Sequence, residues 1–466
     1  MGGLVLVKKS VDIELMSGSE AGFLATLFST LAEARVRYAV MRNYETLPDN
    51  AGGSDLDIIV DREDGSRAKM AVLAAIHTAG GVPIGLAESI GFFKVCAIGR
   101  TVDPVTRWWG QCVDINVGLL FRGYPLLAAN IPWPMRLHNG IPVLCEGFAG
   151  TLGVLKEVLN NQRIPVRYAP SARRAAEDEW PQLERLFAPL GRTALAALRA
   201  LLLSDTPVDE RRGECKKVRR SLLVHALFQR PIVYCWHRIC YEVTKVRRFV
   251  KPPGLVVAIL GVDGAGKSTV ISAILPILNA ATHNAVVVQH LRPGLLSPLA
   301  RLKGKGRAPG APVLDPHSST PSGTVGSLFR VTYLIFDYLL GYWLRTRPRI
   351  AKQPTVVLFD RYAYDMRLDP RRFRIGLAER TLAWFVQIAP KPDLIFCLYG
   401  SPEVIAERKK ELSVEETRRQ VAALLALASS EPRSVLISTD VCVEETRNRV
   451  LSALCDYLRR QMGCGT

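Results

Sequence analysis

Gly261-Val262-Asp263-Gly264-Ala265-Gly266-Lys267-Ser268-Thr269 follows directly on an apolar run, Leu255 to Leu260, and leads into a helical pattern from Thr269 to Leu278. Its frame is Gly261-x4-Gly266-Lys267-Ser268. Each residue type has a physical reason. Glycines let successive backbone N–H groups turn inward around phosphate oxygens. The N-terminus of the helix adds its positive end. Lys267 is then placed to reach the outer phosphates of ATP, and Ser268 to bind Mg2+. Strand, loop and helix in that order predict a phosphate-binding site.

Further strands read outward from this loop. Ala285 to Gln289, Thr355 to Phe359, Leu394 to Tyr399 and Val435 to Ser438 are short apolar runs separated by helical patterns. Ser401-Pro402-Glu403 reads as a helix start, and Ser413-Val414-Glu415-Glu416 as a capping box. Apolar strands alternating with helices predict an α/β fold around a parallel five-stranded sheet, over 252–466. Val356 to Phe359 ends in Asp360, an acid at a strand end that suits a magnesium-bound water. Residues 306–326 are rich in Pro, Gly and Ser and read as a long loop.

The loop, the Asp360-Arg361-Tyr362 triplet, and Pro392-Asp393-Leu394 leading to Pro402-Glu403-Val404 and Glu407-Arg408 together resemble thymidylate kinase. The resemblance covers about Gly254 to Leu458. It implies a P-loop NTPase fold and ATP-dependent phosphoryl transfer to a small acceptor. By the resemblance, Arg361 contacts the phosphates undergoing transfer and Asp263 faces the acceptor. Arg408 sits at the base of a lid, near Lys409, Lys410 and Arg419. Several cations around the equatorial oxygens are what such a transfer needs.

The acceptor side departs from that family. Its members carry a phosphate-gripping arginine on the helix before the third strand. Here that helix reads Ile335-Phe336-Asp337-Tyr338-Leu339-Leu340-Gly341-Tyr342. The turn after the second strand is His290-Leu291-Arg292-Pro293-Gly294-Leu295, which keeps Arg292 as an acceptor-phosphate candidate. Two blocks are added: Leu368-Asp369-Pro370-Arg371-Arg372-Phe373-Arg374 and Pro316-His317-Ser318-Ser319. Tyr362, Arg371 and Arg372 are further acceptor candidates. The set is similar to thymidylate-kinase-like proteins fused to other domains, whose acceptor need not be thymidylate; a nucleoside monophosphate, a sugar or another metabolite is the acceptor expected here.

Residues 1–166 carry a different signal. Gly53-Ser54-Asp55-Leu56-Asp57-Ile58-Ile59-Val60 places two carboxylates on the same side of a strand. Asp114, in Cys112-Val113-Asp114-Ile115-Asn116-Val117, is a third acid for the same Mg2+. This resembles the nucleotidyltransferase fold over about Ser17 to Val166. In the commonest active members the Gly-Ser pair lies further ahead of the acids, at a helix start. Both an active transferase and a substrate-recognising domain remain open. Residues 167–251 read as a basic helical linker. Within it, Pro231 to Pro253 mixes Trp236 and Val243 with Arg238, Lys245, Arg247, Arg248 and Lys251. That segment reads as a helix packed on the next domain, or one lying on an anionic membrane.

Length and composition agree with several soluble domains. The chain has 466 residues, 48% hydrophobic, with a net charge of +18, which favours anionic partners. Ten cysteines without a CxxC pair suggest reduced thiols and a cytoplasmic location. Met1 to Val7 precedes Lys8 and Lys9, the wrong order for a signal peptide. No run reaches the roughly 18 uncharged apolar residues of a membrane span. Leu328 to Leu344 comes nearest, but Arg330 and Asp337 interrupt it, so it reads as a buried helix. No zinc finger or aromatic RNA platform signals sequence-specific nucleic-acid reading. The partners expected are a small phosphate acceptor and, as an open assembly, a homodimer. A bifunctional enzyme and an ATP-binding regulatory module are the other readings.

Overall fold

Two acids flank or interrupt the apolar run at 55–60, yet its core, Leu56–Val60, folds as a fully buried strand because both faces of its sheet are covered. The computed structural model describes residues 20–101, 106–129, 131–229, 231–296, 323–408 and 413–463. The N-terminal apolar run, the Pro316–Ser319 block, most of the 306–326 loop, and Lys409 and Lys410 lie outside the described residues. Two units divide the chain, Met1–Arg247 and Arg248–Thr466.

The first unit begins with α1 (Glu20–Glu33), β1 (Tyr38–Val40), β2 (Leu56–Val60), α2 (Gly65–Thr78), β3 (Gly81–Ser89), β4 (Phe92–Thr101) and β5 (Arg107–Val117). A small hairpin, β6 (Leu120–Phe121) and β7 (Tyr124–Pro125), precedes β8 (Met135–His138) and β9 (Ile141–Leu144). The main sheet is mixed, in the order β3-β4-β5-β2-β1-β9-β8. Side chains alternate across it. Val40, Ile58 and Val60 join one core with Phe23, Leu27 and Val72 of α1 and α2. Ala39 and Ile59 point the other way.

That second face is sealed by α3 (Glu146–Asn161), α4 (Ala169–Asp178), α5 (Trp180–Leu186), α6 (Arg192–Leu203) and α7 (Arg212–Gln229). Leu183, Leu198, Val218 and Leu222 share one core with Ala39 and Ile59. Most of the stretch expected as a linker therefore belongs to the first unit, packed on its core through one face of each helix. An apolar sheet face left uncovered is costly, and these helices carry the stripe that covers it. The next helix, α8 (Pro231–Val250), buries no residue.

The second unit is built from β10 (Leu255–Gly261), α9 (Lys267–Thr282), β11 (Val286–His290), α10 (Thr324–Gly341), α11 (Arg347–Lys352), β12 (Val356–Asp360) and α12 (Asp365–Leu368). Then come α13 (Glu379–Ile388), β13 (Leu394–Tyr399), α14 (Pro402–Arg408), α15 (Val414–Ser430), β14 (Ser434–Ser438) and α16 (Val443–Gln461). Its five strands run parallel in the order β11-β12-β10-β13-β14. All seven residues of β10 are buried, as a central strand with helices on both faces requires. The Ser413 half of the capping box forms: its Oγ accepts from the Glu416 N–H at 3.2 Å, while the Glu416 carboxylate accepts from Arg419 and Gln420. The helix expected to be buried is half-exposed. α10 buries Val331, Ile335, Asp337 and Tyr338, while Phe329, Phe336 and Leu340 face outward.

Leu222→Ala should cost about 2–5 kcal/mol through the cavity it leaves. Hydrogen exchange should then quicken in α3 and α6 and stay unchanged in β10 to β14. Unchanged protection in α3 and α6 would separate the helices from the first unit's core.

Candidate functional site

The glycine loop sits at the carboxyl end of β10, between β12 and β13. Ligands of open parallel sheets bind at this kind of position. Gly264 and Gly266 adopt φ of 90° and 81°, left-handed values that favour glycine. At Gly261 a Cβ would fall 2.9 Å from the Leu398 carbonyl oxygen. The loop then runs into the N-terminus of α9, with Ser268 and Thr269 exposed in its first turn.

Lys267 is 7% exposed. Its ammonium donates to the carbonyl oxygens of Gly261 at 2.8 Å and Val262 at 3.0 Å. Burial, with the nearby Arg361 charge, pulls its pKa down to about 8. A phosphate oxygen replacing those neutral acceptors would favour the charged form.

Asp360 ends β12, in register with Ile259 of β10. One carboxylate oxygen, Oδ2, lies 3.2 Å from His290 Nδ1. The other, Oδ1, is buried without a hydrogen-bond partner. Burial alone would raise the Asp360 pKa, but His290 and Lys267 hold it below the ordinary carboxylate value. An ionised, half-satisfied carboxylate facing the glycine loop fits a divalent cation.

Arg361 follows with φ of 74°, in the left-handed region that a long side chain rarely adopts. The turn throws its guanidinium inward, where it is 5% exposed. It donates to Asp365 Oδ1 at 2.7 Å and to Asp263 Oδ1. Burial opposes its charge, but Asp365 and Asp263 raise its pKa above the ordinary value. Arg372 donates to the other oxygen of Asp263 at 2.6 Å. Asp263, Lys267, Ser268, Asp360, Arg361 and Arg372 line one cavity of about 840 Å3. Arg408, exposed at the end of α14, also lines it.

The acceptor candidates separate. Arg292 donates to Asp337 Oδ2 at 3.1 Å. Asp337 is fully buried and also accepts from the N–H groups of Gly294 at 3.2 Å and Leu296 at 2.6 Å. It thus ties down the segment after β11 from a helix that carries no arginine in register. Tyr362 is a core residue, 2% exposed, packed between Tyr338, Phe359 and Tyr364. Its hydroxyl donates to the Pro390 carbonyl at 2.5 Å, away from the cavity. Arg371 is exposed, and Arg372 reaches the site through Asp263. Asp365, Asp337 and His290 were not singled out from the sequence. An acid inside an apolar helix, as at Asp337, signals a buried partner.

In the first unit, Asp57 and Asp114 are direct partners on parallel β2 and β5. Asp55, Asp57 and Asp114 each offer an oxygen within 4.8 Å of the others. Two cations share them. Arg42 binds Asp57 through Nε and Asp55 through a terminal nitrogen at 3.4 Å. Lys94, opposite Asp114 on β4, lies 3.0 Å from Asp114 and 3.8 Å from Asp55. Burial pushes Asp114 up to about 6, with Lys94 opposing. The donor set suits a divalent cation in type and spacing, but Lys94 and Arg42 hold the same oxygens. Gly52 and Gly53, at φ of 62° and 70°, make a tight turn directly before Ser54 and Asp55, not a helix start.

No protein-family model matches the chain, and no curated protein matches it. Among solved structures, thymidylate kinase from Ehrlichia chaffeensis aligns with 16% identity and a TM-score of 0.32. The alignment covers 43% of this chain and 100% of that one. No helix among the described residues is long and apolar enough to cross a membrane.

A carbon-detected NMR titration of Asp114 should give a midpoint near the value of about 6. Lys94→Met removes the charge that opposes burial, so the midpoint should rise further. A midpoint in the ordinary carboxylate range would contradict this environment.

Proposed function

We propose that the second unit transfers the γ-phosphoryl group of ATP to a small acceptor, in the manner of nucleoside monophosphate kinases. The observation that carries this reading is the shared cavity. Lys267 and Ser268 from the glycine loop, and Asp360 and Arg361 from a second segment, face the same 840 Å3 space. A module that only binds nucleotide has no need of an arginine held at the mouth of the phosphate loop.

The roles follow from chemistry. The N–H groups of the loop and the first turn of α9 receive the phosphates. Lys267 exchanges its two carbonyl partners for outer phosphate oxygens. Ser268 and Asp360 would hold Mg2+, which supplies charge neutralisation on those oxygens when bound. Arg361, steadied by Asp365, turns from Asp263 toward charge that develops on the transferred group. Asp263, between Arg361 and Arg372, is placed to meet the acceptor.

The acceptor is a nucleoside monophosphate or a related small molecule. For a second reading, an acceptor outside the nucleotides, one specific observation speaks. Arg292 is held by the buried Asp337, so the phosphate-gripping pair of thymidylate kinases is replaced by an internal ion pair. In the first unit, the convergence of Asp55, Asp57 and Asp114 supports metal-dependent nucleotidyl transfer as a second activity. There, Lys94 would have to give up its carboxylates.

ADP release with Mg-ATP, measured against nucleoside monophosphates and phosphorylatable sugars, tests the proposal. Turnover with one acceptor class should fall at least about 100-fold in Lys267→Ala. ATP affinity should also decline above a pH of about 8, as Lys267 loses its proton. Turnover that Lys267→Ala leaves intact would remove the proposal.

A further inference from the structure

One face of α8 carries an unusually regular stripe. Ile232, Trp236, Ile239, Val243, Val246 and Val250 recur at alternating intervals of four and three residues. That is the spacing of a two-stranded seam, narrower than the stripe of a helix lying on a globular core. All six side chains are exposed, from 42% for Val243 to 84% for Ile232.

The opposite face is attached. Tyr234 packs against the core of the first unit. His237 lies over Gly123, where a Cβ would come within 2.4 Å of its own Cβ. Tyr241 lines a cavity of about 370 Å3 beside Asn116 and Lys156. The helix is therefore held with its apolar stripe directed outward.

The charges beside the stripe choose the occupant. In heptad terms Trp236, Val243 and Val250 are a positions, and Ile232, Ile239 and Val246 are d positions. The flanking e and g positions are Val233, Cys240, Arg247 and Cys235, Glu242, Phe249. Only Glu242 and Arg247 among them are charged, and their signs are opposite. When two such helices run parallel, a g residue faces the e residue five further on in the partner. Glu242 then meets Arg247 of the second copy, in both directions across the two-fold axis. An antiparallel pair would set like against like. Arg238 and Lys245 lie off the seam and are already paired with Glu242, at 2.8 and 3.0 Å.

We propose that α8 is a self-association element: two copies of this chain pair through it as a short parallel coiled coil. Burying six apolar side chains per copy supplies the driving force. The Glu242–Arg247 pairs set direction and register more than strength. The same register brings Cys235 of one copy beside Cys240 of the other.

Sedimentation velocity of the full chain across a concentration series tests this, beside three variants. The wild type should dimerise. Ile239→Lys should weaken association by at least about tenfold, because it puts a charge into the seam. Arg247→Glu should weaken it severalfold, and the reversed pair Glu242→Arg with Arg247→Glu should restore it. A short bis-maleimide should join Cys235 to Cys240 between wild-type copies. A monomer at every concentration would overturn the proposal, as would a dimer that Ile239→Lys leaves unchanged. A monomer that co-sediments with equimolar phosphatidylglycerol–phosphatidylcholine vesicles, and loses this in Ile239→Lys, would also overturn it. The stripe would then be a lipid-binding face.

Discussion

The second unit depends on keeping a cluster of charges buried at one end of a parallel sheet. Lys267, Asp360, Arg361, Asp365 and Asp263 lie within one loop-and-strand-end cluster. Isolated, any one of these charges would be costly to bury. Together they are satisfied, all but one oxygen of Asp360: Lys267 by two carbonyls, Arg361 by two carboxylates, Asp263 by two arginines. The strands β10 and β12 hold Ile259 and Asp360 in register. The backbone therefore fixes the distance between the glycine loop and the acid. Any slip of one strand would separate the two halves of the site.

The same balance sets the first unit apart. Its carboxylates are as close together as a metal site needs, yet Arg42 and Lys94 are already paired with them. The paired register of Asp57 with Asp114, and of Lys94 with Asp114, makes this cluster a property of the sheet itself. A divalent cation there would compete with two covalently tethered ones. The contrast with Asp360 is direct, since Asp360 keeps one buried oxygen without a partner.

Much of this was legible in the residues. The glycine loop, five apolar runs and the capping box at Ser413 are local signals, and each reflects a backbone requirement. Asp55 and Asp57 could be placed on one side of a strand from their spacing alone. What could not be read was which side chains meet across distant segments. Asp337 and Arg292 are 45 residues apart, and their pairing exists only once α10 packs beside the segment after β11. Arg372 reaches Asp263 across 109 residues. Tyr362 follows a site arginine in the chain, but the left-handed turn at Arg361 sends the two side chains apart. The helices between 167 and 229 carry charge enough to look like a linker. Only the three-dimensional sheet shows the apolar face they must cover.

A crystal structure of the protein with Mg2+ and a non-hydrolysable ATP analogue tests the central claim most directly. The account predicts that the Lys267 ammonium leaves the Gly261 and Val262 carbonyls for the outer phosphates. It also predicts that Asp360 Oδ1 gains a partner through the metal or its water. A triphosphate bound elsewhere, with Lys267 still on those two carbonyls, would contradict it.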